Sequence, residues 1–319
     1  VIDIPLGGWK WGIIVNPKEL SEWELERLSR GYVRSLHKYI WPGIDVPAPD
    51  VNTNPKIMAW MMDEYSTLVG KNSPGSFTGK PMTSWGSAGR WAATAQRGVY
   101  VLQEILRLQK IELKWKRIAL QWAWNAGLTM AWLLRDLGAV IVWISDSGGW
   151  IYNKEGINID TISKIKADKK SVTEYQDADK LDGQKVLEVE CDILIPAALE
   201  NQITSDNADR IQASIILELA NGPIVPDADA MLEKTKIQVI PDILANAGGV
   251  MVSYFEQVQN DMNFYWEADE VQEKLHKKIT EAAEDVFKTA SKHQSDMRTG
   301  AYIIAIEKIF AAMWARHTY

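Results

Sequence analysis

From residue 117 to residue 240 the chain alternates short, continuously apolar runs with amphipathic stretches, and no other feature restricts its fold as much. The runs occupy 117–121, 139–145, 192–196, 214–219 and 237–240. Runs of Val, Ile and Leu without polar alternation belong to strands buried on both faces, as in a parallel sheet. Parallel strands need crossovers, and helical patterns over about 126–137, 206–211 and 227–233 supply them. The expected fold is α/β, a doubly wound parallel sheet. Residues 168–189, rich in Lys, Asp and Gln, read as a solvated excursion between strands.

On either side of this region the pattern is helical. Residues 18–40 place Leu20, Leu25, Leu28, Val33 and Leu36 on one side, and Ser21 with Glu24 forms a capping box. Proline makes loops of Trp41-Pro42-Gly43 and Pro47-Ala48-Pro49-Asp50. A second helix fits 54–69, with Pro55 in its first turn, where proline is tolerated. Met58, Met61 and Met62 on that helix read as core packing. After a Gly-, Ser- and Thr-rich loop over 71–90, a third helix fits 92–109. Three more follow the sheet region, at 247–260, 268–292 and 297–315. Late helices of this kind pack back on a first domain, so 1–109 with 293–319 is expected as one partial domain and 110–292 as the sheet domain with a pivot helix. Val1-Ile2-Asp3-Ile4-Pro5 reads as a strand running into a loop, as in a chain that starts in mid-element.

Charge and composition narrow the function classes. With 35 Lys and Arg against 42 Asp and Glu the net charge is −7, and no basic block stands out, which argues against a nucleic-acid partner. No apolar run reaches the roughly 18–20 residues of a membrane span. The single cysteine, Cys191, cannot form an internal disulfide, so a reducing, cytoplasmic setting is expected, with Cys191 acting as a small buried hydrophobe. Four scattered His residues show no zinc-ligand spacing, and no metal is expected.

Four segments have residue types suited to chemistry. Leu120-Gln121-Trp122-Ala123-Trp124-Asn125-Ala126-Gly127 lies between a strand and a helix, where a dinucleotide fingerprint would read G-x-G-x-x-G; only Gly127 remains. Asp146, near the end of the next strand, is placed to accept hydrogen bonds from a ribose. On pattern alone, an ordinary α/β crossover with a strand-end acid is the stronger reading of both. Lys10, in Gly7-Gly8-Trp9-Lys10-Trp11-Gly12, suits proton transfer or carbonyl polarisation, or is a surface loop lysine. Asp50, on a stiff Pro-rich loop, suits a general acid/base, or is a turn residue. Asn246-Ala247-Gly248-Gly249-Val250, before a helix carrying Ser253 and Tyr254, suits a carboxylate or a nicotinamide amide, or is a helix cap with a flexible pivot.

Taken together, the segments resemble the glutamate dehydrogenase family over nearly the whole chain. The resemblance rests on Pro47–Asn54 with its Pro-Ala-Pro-Asp core, Phe77-Thr78-Gly79-Lys80-Pro81, Ser145-Asp146-Ser147, Ile195-Pro196-Ala197-Ala198-Leu199-Glu200-Asn201, Ala220-Asn221-Gly222-Pro223 and the long stretch Pro241-Asp242-Ile243-Leu244-Ala245-Asn246-Ala247-Gly248-Gly249-Val250-Met251-Val252-Ser253-Tyr254-Phe255-Glu256. It implies a Rossmann-like dinucleotide domain plus a partial α/β substrate domain completed by C-terminal helices. It also implies reversible oxidative deamination of L-glutamate to 2-oxoglutarate and ammonia with NAD or NADP, in a homo-oligomer, hexameric in the bacterial and archaeal enzymes. Lys10 matches the family's catalytic lysine and Asp50 its proton-shuttling carboxylate. Asn246 and Ser253 match residues near the cofactor and the substrate carboxylate. Thr78 and Asn221 match the nicotinamide side, Asn125 and Asp146 the adenosine side, and Gly127 and Ala197 further cofactor contacts. A catalytically silent scaffold, or a leucine, phenylalanine or valine dehydrogenase, are the alternative readings.

The sequence departs from the family in two ways. The family's Lys-Gly-Gly motif, which carries further substrate-binding lysines, does not occur in it. And 15 Trp are present, several where the family has Gly: Trp9 or Trp11, Trp85, Trp115, Trp122, Trp124 and Trp150, with Leu219 likewise in place of a Gly. Glycine serves positive φ or a close ligand, so an indole at 122 or 124 is expected to meet the pyrophosphate.

Overall fold

In the computed structural model, which describes residues 1–121, 126–181 and 187–317, the apolar runs form a seven-stranded sheet. The strands are β1 (Arg117–Leu120), β2 (Val140–Asp146), β3 (Gly149–Tyr152), β4 (Asp179–Leu181), β5 (Ile193–Ile195), β6 (Ile215–Leu217) and β7 (Gln238–Ile240), in the order β4-β3-β2-β1-β5-β6-β7. All five expected strands are present and parallel, with Ile118 opposite both Ile141 and Ile193. β3 and β4 extend the sheet in antiparallel fashion, so the stretch expected as a solvated excursion carries an edge strand. The helices are α1 (Glu22–Leu36), α2 (Pro55–Val69), α3 (Arg90–Gln109), α4 (Ala126–Asp136), α5 (Ile159–Ala167), α6 (Pro226–Lys234), α7 (Asp242–Ala245), α8 (Gly248–Met262), α9 (Ala268–His293) and α10 (Met297–Ala315). α5 was not legible in the pattern, and the helix expected at 206–211 is one 3-10 turn, Ala208–Arg210. Val1–Pro5 forms no strand.

The described residues divide into two compact units, one made of 1–2, 92–248 and 276–319, the other of 3–91 and 249–275. These boundaries differ from 1–109 with 293–319, because α3 and the later part of the C-terminal helices group with the sheet. In the sheet unit, Ala119, Val142, Trp143, Leu194 and Ile216 form a core with Ala228 and Leu232 of α6. Cys191 is buried here, and burial pushes its thiol up to about 12. In the second unit, α1 and α2 enclose Val33, Ile57, Met58, Met61, Met62 and Phe77. Both helices start as their sequences dictate: Ser21 accepts from Glu24 N–H while Glu24 reaches back to the Ser21 N–H, and Asn54 accepts from Ile57 N–H ahead of Pro55. Among its described residues this unit has no strand, only an isolated bridge between Trp41 and Asp45.

The tryptophans separate into two kinds. Trp85 (φ 60°) and Trp115 (φ 66°) sit in the left-handed region that favours glycine. Trp9, Trp11 and Trp150 do not need glycine backbone: the first two project into solvent, and Trp150 stacks on Trp143 with ring centroids 5.6 Å apart. Trp122 and Trp124 lie outside the described residues.

Candidate active site

In the sheet unit, the expected cofactor-site residues, most of them polar, lie at the carboxyl ends of the parallel strands. Asp146 closes β2, Gln121 follows β1, Ala197 follows β5, Asn221 follows β6, and Asn246 follows β7 and α7. From the central β1 the chain runs outward through β2, β3 and β4, then crosses back to β5 on the other side of β1, so the ends of β1 and β5 form the switch point at which doubly wound sheets bind ligands. Gln121 there has a buried side-chain oxygen with no hydrogen-bond partner among the described residues. Gly127 is buried in the first turn of α4, and Asn125 lies outside the described residues.

Asp146 is held from every side. Its Oδ1 accepts from the Gly148 N–H at 2.8 Å and the Ser171 hydroxyl at 2.9 Å; its Oδ2 accepts from Lys166 Nζ at 2.6 Å and the Val172 N–H at 2.9 Å. A carboxylate offers about four lone-pair sites, so this one is saturated, and its side chain is 4% exposed. Burial raises its pKa, but the Lys166, Val172, Gly148 and Ser171 donors outweigh burial and hold the carboxyl below the ordinary range. A ribose hydroxyl can bond to Asp146 only when one of these donors gives way. In this structure the residue shapes the turn beside a cavity of about 430 Å³ lined by residues 146–150, Thr173 and Lys180. That volume falls in the small-molecule range, and its place at the end of β2 suits the adenosine end of a dinucleotide.

Asn221 and Asn246 meet in the same unit: Asn246 Nδ2 donates to Asn221 Oδ1 at 2.7 Å. Gly248, at the start of α8, is required by packing, since a Cβ there would lie 1.4 Å from Cδ of the buried Arg97. The segment at 246–250 is therefore packed at Gly248 as well as being a helix start.

The second unit places Lys10, Asp50, Thr78 and Ser253. Lys10 Nζ donates to Asp50 Oδ2, and the two side chains are 76% and 52% exposed. The Asp50 Oδ1 accepts from the Val51 N–H at 2.9 Å, and its loop is closed by the Thr53 hydroxyl, which donates to the Asp50 carbonyl at 2.8 Å. The hydrogen bond from Lys10 holds the Asp50 carboxyl below its ordinary pKa against partial burial, with help from the Val51 N–H. Just upstream, the Pro47 carbonyl accepts from the Thr78 N–H at 2.9 Å, tying the Asp50 loop to the Phe77–Pro81 segment. The Thr78 hydroxyl is buried and has no hydrogen-bond partner among the described residues.

An ion pair that the sequence did not announce supports this half. Lys80 Nζ donates to Glu256 Oε1 and to the Phe77 carbonyl, both at 2.6 Å, while Glu256 Oε2 accepts from the Gly79 N–H at 3.0 Å; both charged side chains are fully buried. Glu256 stands on α8, which also carries Ser253, one turn earlier and buried. The available sequence signal was a charged residue following the apolar Met251-Val252 and Tyr254-Phe255 pairs.

Comparison with known proteins gives the same assignment along the chain. The family model described as Glutamate/Leucine/Phenylalanine/Valine dehydrogenase matches residues 86–317, and the one described as Glu/Leu/Phe/Val dehydrogenase, dimerisation domain matches residues 1–67. The chain is 45% identical over 312 residues to the cryptic catabolic NAD-specific glutamate dehydrogenase GudB of Bacillus subtilis (strain 168), covering 98% of this chain and 73% of that protein. It is 44% identical over 308 residues to the NAD-specific glutamate dehydrogenase of Staphylococcus aureus (strain COL), covering 97% and 74%. Among solved structures, the hetero-hexameric glutamate dehydrogenase from Thermus thermophilus in its Leu-bound form superposes with a TM-score of 0.89 at 33% identity, over 96% of this chain and 72% of that one. The glutamate dehydrogenase from Peptoniphilus asaccharolyticus gives 0.85 at 38% identity, over 100% and 77%. The chain belongs to the Glutamate/Leucine/Phenylalanine/Valine dehydrogenase family.

Proposed function

We propose that this chain catalyses the reversible oxidative deamination of L-glutamate to 2-oxoglutarate and ammonia with NAD or NADP. The observation that carries the residue assignment is the Lys10–Asp50 pair, an ammonium on a carboxylate in the two loops the sequence marked for proton chemistry. Bound NAD(P) supplies the acceptor for the hydride that leaves the glutamate Cα. Asp50, kept ionised by Lys10, takes the proton released from the substrate amine, and Lys10 donates to the oxygen that develops at Cα when water adds. Ser253 and Asn246 serve the substrate carboxylate. Thr78, Asn221 and Asn246 serve the nicotinamide side, and Gly127, Ala197, Asn125 and the Asp146 turn the rest of the cofactor. The orphaned Thr78 and Gln121 oxygens and the cavity beside Asp146 support that division.

The dimerisation-domain match over 1–67 supports assembly with further copies of the chain, with a hexamer as the specific form proposed. The single cysteine supports a cytoplasmic location, and among the described residues no helix is long and apolar enough to cross a membrane. NADH fluorescence, followed as the protein is added, tests the cofactor assignment. Saturable binding by the native chain is the expected result. Binding that appears only after Trp122→Gly with Trp124→Gly would instead favour a silent scaffold.

A further inference from the structure

Asn221 and Asn246 belong to separate loops, and their mutual hydrogen bond fixes which amide atom each presents only while those loops stay together. Three carboxylates and one guanidinium hold them. Asp242 joins the loops directly: its N–H donates to Glu218 Oε2 at 2.8 Å and its Oδ2 accepts from the Gly222 N–H at 2.8 Å. Arg298 then closes the cluster, donating from Nη2 to Glu218 at 2.9 Å, from Nη1 to Asp242 at 3.3 Å and from Nε to Asp229 at 2.6 Å. The Glu218 side chain is fully buried, and burial pushes its carboxyl above the ordinary range against the bond from Arg298.

The place of Arg298 in its own helix is informative. It is the second residue of α10, just after the N-cap Asp296, where a cation opposes the helix dipole. Its position is therefore explained by the carboxylates it faces rather than by the helix it starts. Without it, the buried Glu218 and the half-buried Asp242 face each other as like charges at the bases of the loops that carry Asn221 and Asn246. A planar fork donating to three carboxylates is a geometry that lysine cannot reproduce.

We propose that Arg298 is a positioning residue for the nicotinamide side of the site: through Glu218 and Asp242 it keeps the Asn221–Asn246 amide pair in one orientation. This inference rests on the reading of those two asparagines given under Proposed function. The test compares two probes on the full chain, NADH by fluorescence and ADP-ribose, which lacks nicotinamide, by competition against it. Arg298→Lys and Arg298→Met are expected to weaken NADH binding about tenfold, the scale of one lost hydrogen bond to a ligand, with ADP-ribose binding unchanged. In the glutamate assay kcat and the KM for cofactor should change, and the KM for glutamate should rise with them, because Asn246 also serves the substrate carboxylate. Arg298→Lys keeps a cation among the carboxylates, so it remains informative where Arg298→Met fails to fold. Equal weakening of both probes, or no weakening of either, overturns the proposal. A native chain that binds neither probe overturns the cofactor reading itself, and the proposal with it.

Discussion

Asp50 and Asp146 are both held below their ordinary pKa by hydrogen-bond donors, yet their surroundings differ as the roles proposed for them, proton transfer at one and holding a turn at the other, require. Asp50 is half exposed, with one cation and one backbone N–H on its two oxygens. Asp146 is almost fully buried and accepts from four donors. A carboxylate that must take up and release a proton needs an oxygen that solvent or substrate can reach. One that must hold a turn needs every lone pair occupied. A lowered pKa by itself does not tell the two apart; exposure and donor count do.

This contrast can be broken by substitution, and the largest effect is expected at Asp50. Asp50→Asn should lower kcat by about 10²–10⁴-fold, the usual worth of a positioned general base. Its melting temperature should scarcely move, since exposed ion pairs contribute about 0–1 kcal/mol. Glu256→Gln should do the opposite. Leaving the fully buried Lys80 without its carboxylate costs about 3–5 kcal/mol in denaturant unfolding. Asp146→Asn should cost about 3 kcal/mol by the same measurement, because Lys166 is also largely buried.

The pH dependence sharpens the Asp146 case. Its folded pKa is depressed, so the stability it contributes is complete above the unfolded value of about 3.9 and is lost as pH falls through the lower folded value. Stability curves of the native chain and Asp146→Asn should therefore converge in acid and separate above about pH 4; parallel curves would contradict the assignment. The smallest effect is expected at Trp115→Gly. It should stabilise by about 0.5–1 kcal/mol, the left-handed strain relieved less the backbone entropy of glycine.

Much of this architecture was legible because it is local. The capping box at Ser21 and Glu24, the proline at the start of α2 and the apolar runs of the five parallel strands depend on neighbours a few residues away. β3 and β4 were not legible. Gly149-Trp150-Ile151-Tyr152 is too short to show a period, and Asp179-Lys180-Leu181 is too polar to look like a strand until β3 pairs with it. The site divides the same way. Lys10 and Asp50 lie in loops whose Gly and Pro content marks them, whereas the partners of Asp146 stand at 166, 171 and 172 with no motif to announce them. Glu218, in the run Ile215-Ile216-Leu217-Glu218-Leu219, was like Glu256 a visible hint, since a carboxylate inside an apolar strand end needs a partner. That partner, Arg298, is far along the chain and could be found only in three dimensions.

The most direct test is glutamate-dependent reduction of NAD by the native chain, Asp50→Asn and Asp146→Asn, each rate expressed per mole of folded protein. The expected result, at saturating NAD, is turnover by the native chain, a loss of at least about 10²-fold in Asp50→Asn, and turnover within a few-fold of native in Asp146→Asn, whose turn serves cofactor binding. Native-like turnover in Asp50→Asn, or no turnover by the native chain, would contradict the division of roles between the two aspartates.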